Sequence, residues 1–189
     1  PYIVLDDADI QKAVDVIKQS RLYNGGQSCI SAKRMIVVEQ VYEEFLHHFV
    51  EAMSSTPYGD PMDDNNVYGP MARHDLRDLL YDQQQRAIAA GAQLIAGGFI
   101  PDGAGALYPP TVLAEVKPGQ AAFDEELFGP VAAVVKAKDT VDAIRLANLS
   151  DYGLGAAVFT EDREKGERLA TEMVNAGSVF VNSLVRLYP

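Results

Sequence analysis

Residues 24–30, which read NGGQSCI, are the part of the chain best suited to chemistry. They include Cys29, the single cysteine of the sequence. A cysteine thiolate can add to a carbonyl carbon, and a nearby backbone N–H can hold the oxyanion that forms. The adjacent glycines Gly25 and Gly26 allow a sharp bend with positive φ, which could hold the cysteine in a cleft. Taken alone, a lone cysteine is more often a small buried hydrophobic residue, so both interpretations stay open.

The elements that must position this segment are indicated by short apolar runs that alternate with longer amphipathic stretches. Strands are predicted at 2–5, 35–38, 93–96, 131–135, 156–159 and 178–181, and helices at 9–22, 42–53, 73–90, 140–148 and 163–175. This alternation favours an α/β fold, an open doubly wound and mostly parallel sheet with helices on both faces. Ligands of such sheets commonly bind beyond the carboxyl ends of the strands. We therefore expect function in those loops and in the turn before Met35.

Local signals mark the ends of these elements. Asp7 or Asp9 is expected to cap the first helix, and Gly91 suits the end of the third. Residues 97–110, GGFIPDGAGALYPP, are rich in glycine and proline and are predicted to form an irregular loop.

Composition and charge exclude several function classes. The net charge of −11 and the pI near 4.6 would repel phosphate backbones, so no nucleic-acid partner is expected. Three histidines, His47, His48 and His74, show no ligand spacing with one another or with the cysteine, so no metal site is predicted. No apolar run approaches the length of a membrane span, and no signal peptide is visible at the start. A cytoplasmic location without membrane contact is the expectation.

Four stretches of the sequence resemble the aldehyde dehydrogenase family. Residues 23–34, YNGGQSCISAKR, resemble its cysteine signature, and residues 123–131, FDEELFGPV, resemble its E-E-x-F-G-P-V motif. Residues 179–182, VFVN, resemble the strand before its C-terminal region, and the opening PYIVLDDADI resembles the sequence after its general-base glutamate motif. Together these stretches cover essentially the whole chain in the order of the family.

The resemblance implies that Cys29 is the catalytic nucleophile. In similar enzymes the thiolate adds to an aldehyde to give a thiohemiacetal, hydride passes to a nicotinamide, and water hydrolyses the resulting thioester. The N–H of Cys29 would form half of the oxyanion hole. Ser28 and Ile30 flank the nucleophile and are expected to line the aldehyde pocket, and Asn182 matches a family asparagine close to the active site.

The resemblance also implies contacts to a cofactor, NAD or NADP. Glu126 matches the residue that binds the hydroxyls of the nicotinamide-side ribose, for which a carboxylate is a suitable acceptor. Phe128 matches an aromatic residue that packs near the nicotinamide. Asp124 and Glu125 are expected to belong to a solvated acidic loop, and Arg34 to serve as a structural ion-pair residue.

By the same resemblance, residues 1–189 are a cysteine-bearing catalytic domain that lacks the nucleotide-binding domain and the C-terminal tail of the family. Such a chain is expected to bind NAD poorly by itself, and the full-length protein to form a homodimer or homotetramer. The run GQSCISAKR and the helix ARHDLRDLL resemble the succinate-semialdehyde dehydrogenase group. Many members of that group have an arginine at the position of Tyr23, so Arg186 could bind an anionic substrate here, or could simply lie on the surface.

Two other classes of protein fit the same residues. One is an acylating dehydrogenase that passes the thioester to coenzyme A, or an acyl-phosphate reductase with related thiol chemistry. The other is a family-like domain kept for structure or assembly, although Cys29, Glu126 and Phe128 are all intact.

Overall fold

One seven-stranded sheet organises the part of the chain that the computed structural model describes, which is residues 1–103 and 105–186. Its strands are β1 (Tyr2–Val4), β2 (Arg34–Val38), β3 (Gln93–Ala96), β4 (Thr111–Ala114), β5 (Val131–Ala137), β6 (Gly155–Phe159) and β7 (Ser178–Val181). Their order across the sheet is β3-β4-β5-β2-β1-β6-β7. Every neighbouring pair is parallel except β3 with β4 at one edge.

Helices cover both faces of this sheet. They are α1 (Ile10–Leu22), α2 (Glu39–Ser54), α3 (His74–Ala89), α4 (Ala121–Asp124), α5 (Thr140–Asn148) and α6 (Arg163–Glu172). Helices α1 and α2 pack into one hydrophobic core, and the other four pack into the core on the opposite face. The open, doubly wound, mostly parallel α/β fold expected from the sequence is therefore confirmed. Among the described helices, none is long and apolar enough to cross a membrane.

Burial on two sides explains the apolar runs in the central strands. In β2, Met35 and Val37 point into the core beneath α1 and α2, whereas Ile36 and Val38 point into the other core. All four side chains are almost completely buried. Successive side chains of a strand face opposite sides, so a strand covered on both sides must be apolar throughout.

The helix ends follow the predicted signals in part. Asp9 caps α1, because its carboxylate accepts a hydrogen bond of 3.0 Å from the N–H of Lys12. Asp7, the alternative, instead accepts two contacts of 2.8 and 2.7 Å from the hydroxyl of Thr160. Gly91 follows α3 with a φ of 104°, as expected for a glycine after a helix.

Several elements differ from the sequence expectation, among them the short helix α4, which was not predicted. Strand β4 was not predicted, since its four residues follow the glycine- and proline-rich stretch directly. Helix α2 begins at Glu39 rather than at residue 42. Helix α6 ends at Glu172 rather than at residue 175, and Asn175 beyond it donates its N–H to the side chain of Asn148 at 2.8 Å. Residues 97–103 and 105–110 form no helix or strand, as predicted for an irregular loop.

Candidate active site

A left-handed turn leads from α1 into the cysteine segment. The short 3₁₀ helix Tyr23–Gly26 contains Asn24, Gly25 and Gly26 at φ values of 51°, 61° and 76°. The bend expected from the two glycines is confirmed. A Cβ at Gly26 would lie only 2.2 Å from the carbonyl oxygen of Gly129, so glycine is required there for close backbone contact as well as for its φ.

Polar contacts fix this turn in place. The guanidinium of Arg21 is fully buried and donates from Nη2 to the carbonyl of Gly26 at 2.7 Å. Burial lowers the pKa of Arg21 to about 9, and the negative charge of Glu126 opposes this shift. Gln27 accepts the N–H of Ala72 at 2.8 Å and thereby ties the turn to the segment before α3.

Cys29 is exposed and lines a cavity of about 210 Å³. The cavity lies where the chain enters β1, β2, β5 and β6, and its other lining residues are Pro1, Tyr2, Ile30, Ser31, Lys33, Arg34, Phe123, Glu125, Glu126, Ser150 and residues 152–155. Because these four strands are parallel neighbours, their amino ends meet at one edge of the sheet. The cavity of Cys29 therefore lies by the turn before Met35, which the sequence singled out, and not beside the loops after the strands, where a site was also expected.

A second cavity, of about 550 Å³, lies beside the same segment. Ser28 lines this cavity, and Ile30 and Ser31 line both cavities. Its other walls come from the end of α1 with Tyr23, and from Leu184, Val185 and Arg186 after β7. The cysteine segment is thus bordered by one cavity on the side of Glu126 and by another on the side of Arg186.

Lys33 joins the cysteine segment to Glu126. Its ammonium lies 2.9 Å from the Oε1 of Glu126 and donates to the carbonyl oxygens of Ser28 at 2.9 Å and Cys29 at 3.2 Å. It also lies 5.7 Å from the ring centroid of Phe128, which is partly exposed. Burial and the charge of Arg21 lower the pKa of Lys33, while Glu126 and Cys29 act in the opposite direction. The predicted catalytic and cofactor residues are therefore brought together around one lysine.

Glu125 is partly exposed, as expected for an acidic loop, but it is also fixed by an ion pair that was not expected. Both of its carboxylate oxygens accept hydrogen bonds from Arg86 of α3, at 2.6 and 2.9 Å, and Gln83 donates a further one at 2.9 Å. Arg86, and then Gln83, lower the pKa of Glu125 to about 2. The carboxylate thus fastens the segment before β5 to α3, while Glu125 and Glu126 both line the cavity.

Arg34 has the structural role expected of it, but with different partners. Its guanidinium is buried and donates to the carbonyl oxygens of Leu146 and Ala147, both at 3.1 Å. These carbonyls belong to the last turn of α5, where a cation also interacts favourably with the helix dipole. The guanidinium additionally lies 4.8 Å from the ring centroid of Phe123. Arg34 therefore anchors α5 to β2 by helix capping rather than by the expected ion pair.

Asn182 lies away from the cavity of Cys29. It follows the carboxyl end of β7, at the opposite edge of the sheet from the amino ends where Cys29 lies. Its side-chain amide accepts the N–H of Thr160 at 3.0 Å and donates to the carbonyl of the same residue at 2.7 Å. Asn182 thus holds two strand ends together. The residues that border the second cavity in this region are Leu184, Val185 and Arg186.

Two of the three histidines lie close to a glutamate. His47, His48 and Glu51 of α2 place one ligand atom each within 4.8 Å of one another, although no ligand spacing was recognised. The missed signal is the i, i+4 relation of His47 to Glu51, which puts both on one helix face. The three residues lie on α2, whereas the two cavities are bordered by other elements.

Lys33 is the residue of the site that sequence reasoning missed. It follows Cys29 by four positions inside the cysteine signature, and a cation so close in sequence to a candidate thiolate was the available signal. The segment 184–186 was also missed as a cavity wall, apart from the suggestion made for Arg186.

Comparisons with known proteins agree with the fold and identify the family. The profile of the aldehyde dehydrogenase family matches residues 1–188. The succinate semialdehyde dehydrogenase [NAD(P)+] Sad of Escherichia coli strain K12 is 47% identical over 182 residues, which are 96% of this chain and 39% of that protein. A succinate-semialdehyde dehydrogenase [NADP(+)] of Mycobacterium avium is 41% identical over 189 residues, which are 100% of this chain and 40% of that protein.

A solved structure gives the same result. The lactaldehyde dehydrogenase of Escherichia coli superimposes with a TM-score of 0.95 at 33% identity, covering 100% of this chain and 39% of that one. The chain belongs to the aldehyde dehydrogenase family. It spans about 40% of the length of the curated relatives that it matches.

Proposed function

We propose that the full-length protein oxidises an aldehyde to the carboxylic acid with NAD or NADP, and that this chain is its cysteine-bearing catalytic domain. The observation that carries the proposal is the position of Cys29. The cysteine is exposed in a chain of the aldehyde dehydrogenase family, and its segment separates a cavity that contains Glu126 from a cavity that contains Arg186. Such an arrangement suits a reaction in which a cofactor and an aldehyde approach one sulfur from two sides.

The proposed reaction begins with attack of the Cys29 thiolate on the aldehyde carbon. A carbon–sulfur bond forms and the carbonyl oxygen becomes an oxyanion. The N–H of Cys29 is a suitable donor to this oxygen, because it makes no hydrogen bond to any residue within 1–103 or 105–186. Collapse of the oxyanion re-forms the C=O bond as hydride leaves the carbon, which gives a thioester. Water then cleaves the thioester, releasing the acid and the free thiol.

The residues beside Cys29 fit a nicotinamide cofactor on the side of Glu126. The Glu126 carboxylate lines the same cavity as Cys29, and a carboxylate accepts hydrogen bonds from ribose hydroxyls. Phe128 exposes part of its ring next to Lys33 and could pack against a flat heteroaromatic group. The cofactor, when bound, accepts the hydride. On this side, the chain's own part is to bind the ribose and to orient the segment that bears the sulfur.

Succinate semialdehyde is the proposed aldehyde. The two relatives named above are succinate semialdehyde dehydrogenases. In this chain, Arg186 is the one charged residue that borders the second cavity within the described ranges, and no ion pair joins it to another described residue. A guanidinium binds a carboxylate well, so Arg186 could hold the distal carboxylate of the substrate while Ser28 and Ile30 enclose its chain.

Kinetics of the full-length protein test both parts of the proposal. We expect NAD(P)H and acid to form in equal amounts without coenzyme A, and a preference of at least about tenfold in kcat/KM for succinate semialdehyde over an uncharged aldehyde of similar length, which is about 1.4 kcal/mol. Arg186→Gln should remove most of this preference and leave the uncharged aldehyde unaffected. Absence of aldehyde-dependent reduction would refute the oxidation, and a preference unchanged in Arg186→Gln would refute the role of Arg186. A homodimeric or homotetrameric assembly and a cytoplasmic location stay predictions from the resemblance.

A further inference from the structure

The ammonium of Lys33 lies on the inner side of the curved segment that contains Cys29. Its ammonium contacts three carbonyl oxygens of this segment, those of Ser28 at 2.9 Å, Cys29 at 3.2 Å and Ser31 at 3.4 Å. Only 17% of its side chain is exposed. An ammonium at the centre of a curved segment fixes the positions of its carbonyls, and it therefore also fixes the direction of the N–H groups between them.

The same ammonium reaches the residues proposed for the cofactor. It forms an ion pair of 2.9 Å with Glu126 and lies 5.7 Å from the ring of Phe128. With the three carbonyls, the Glu126 carboxylate makes four acceptors for an ammonium that has only three N–H donors. The cation is therefore shared between the segment that bears the nucleophile and the side chain that would bind ribose.

We propose that Lys33 is a positioning residue that couples the two halves of the site, holding the cysteine segment and Glu126 together and stabilising the thiolate of Cys29 by its positive charge. This inference rests on the proposed function, but the effect of Lys33 on the Cys29 thiol can be measured without any turnover of substrate. A thiolate of high reactivity at neutral pH needs a nearby cation or helix dipole, and Lys33 is the cation in this position. The ammonium lies 3.2 Å from the carbonyl oxygen of Cys29 itself, which places its positive charge next to the residue that bears the sulfur.

Other charged groups around the cavity limit how strongly the charge of Lys33 can act on the Cys29 thiolate. Arg21, from α1, lies near enough to lower the pKa of Lys33 and adds positive charge beneath the segment. Glu125 and Glu126 precede β5, but Glu125 is neutralised by Arg86, so Glu126 is the main opposing charge. Arg34, from β2, is directed to the end of α5.

The test is the pH dependence of Cys29 alkylation in the full-length protein. The rate of reaction with iodoacetamide is followed by mass spectrometry of the peptide that contains Cys29, which gives the pKa of this thiol. Lys33→Met should raise that pKa by about one unit, the low end of the effect of a close opposite charge, because Glu126 already offsets part of the field. Lys33→Arg should keep the pKa close to that of the wild type.

Lys136→Met is the matched control. Lys136 is likewise partly buried, paired with a glutamate (Glu43, at 3.1 Å) and set over an aromatic ring (Tyr42, at 4.2 Å), but it borders neither cavity that adjoins the cysteine segment. Its replacement should leave the thiol pKa unchanged. If Lys33→Met does not fold, Lys33→Gln can still donate to the carbonyls without the charge, and the same rise is expected.

A thiol pKa that stays within about 0.3 units of the wild-type value in folded Lys33→Met or Lys33→Gln would overturn the inference. A rise equal to that in Lys136→Met would overturn it as well, since the effect would then not depend on the position of the charge. Failure of the proposed function is a separate outcome. It would appear as an absence of aldehyde oxidation in the wild type, whatever the alkylation rates of the variants.

Discussion

Replacement of Gly26 by alanine should disrupt the turn that presents Cys29. The φ of 76° at this position costs a residue with a Cβ about 1–2 kcal/mol. The new Cβ would also lie 2.2 Å from the Gly129 carbonyl oxygen and 2.7 Å from the Nη2 of Arg21, so two backbone segments must separate. Such overpacking adds about 1–3 kcal/mol. We expect Gly26→Ala to lower the free energy of unfolding by about 2–5 kcal/mol in total.

Gly119→Ala is the control for this prediction. Gly119 has a φ of 89°, but no heavy atom lies within 4 Å of a Cβ built on it, so only the cost of the backbone conformation applies, about 1–2 kcal/mol. The assay is urea unfolding of both full-length variants beside the wild type. The rate at which Cys29 is alkylated should differ from that of the wild type in Gly26→Ala and should equal it in Gly119→Ala. Equal losses of stability in the two variants would refute the argument that close backbone contact, rather than φ alone, requires glycine at position 26.

Two further predictions concern Arg34 and Glu125, which fasten segments beside the cavity to α5 and α3. Arg34→Met should lower the free energy of unfolding by about 2–4 kcal/mol, because two charged hydrogen bonds to the carbonyls at the end of α5 are lost. Urea unfolding measures this loss. The control is Arg163→Met, which replaces an exposed arginine and should change the free energy of unfolding by less than about 0.5 kcal/mol. The folded-state pKa of Glu125, about 2, lies below its ordinary value of 4.5, so its carboxylate stabilises the fold above pH 4.5 and loses this contribution as the pH falls toward 2. The stability advantage of the wild type over Glu125→Gln, at most about 1 kcal/mol for so exposed a pair, should therefore be present at pH 6 and shrink below pH 4.5; an advantage that stays constant between pH 6 and pH 3 would contradict this assignment.

The central part of the fold could be predicted from the sequence because burial on two faces leaves a continuous apolar run. Strand β2 carries this signal in four adjacent side chains. Strand β4 is harder to recognise, because Thr111–Ala114 is short and directly follows the glycine- and proline-rich stretch, although its Val112 and Leu113 are buried in the two cores. Local sequence patterns could not predict that β3 runs antiparallel to β4. The relative direction of the two strands depends on the route of the chain through the loop at 97–110.

The site was predicted where its chemistry is local in sequence and missed where it depends on partners far along the chain. Cys29 and its glycine turn lie within one short segment. The hydrogen bonds from Arg86 to Glu125 join residues 39 positions apart, so a solvated loop was the natural expectation. The sequence did not predict that the cavity lies at the amino ends of the strands, because the general rule for open α/β sheets points to the carboxyl ends. In this chain, both motif segments precede their strands, β2 and β5, and the parallel pairing of these strands brings the segments to the amino edge.

The central claim, that Cys29 is the nucleophile, is tested most directly by detection of the acylated residue. Full-length protein is mixed with cofactor and aldehyde, quenched during the first turnover, and digested for mass spectrometry. The peptide that contains Cys29 should carry the mass of the acyl group, and Cys29→Ser should lose this adduct together with at least about 10³-fold of the oxidation rate, while remaining folded. Continued oxidation at the wild-type rate in Cys29→Ser, or an acyl group found only on another residue, would contradict the account.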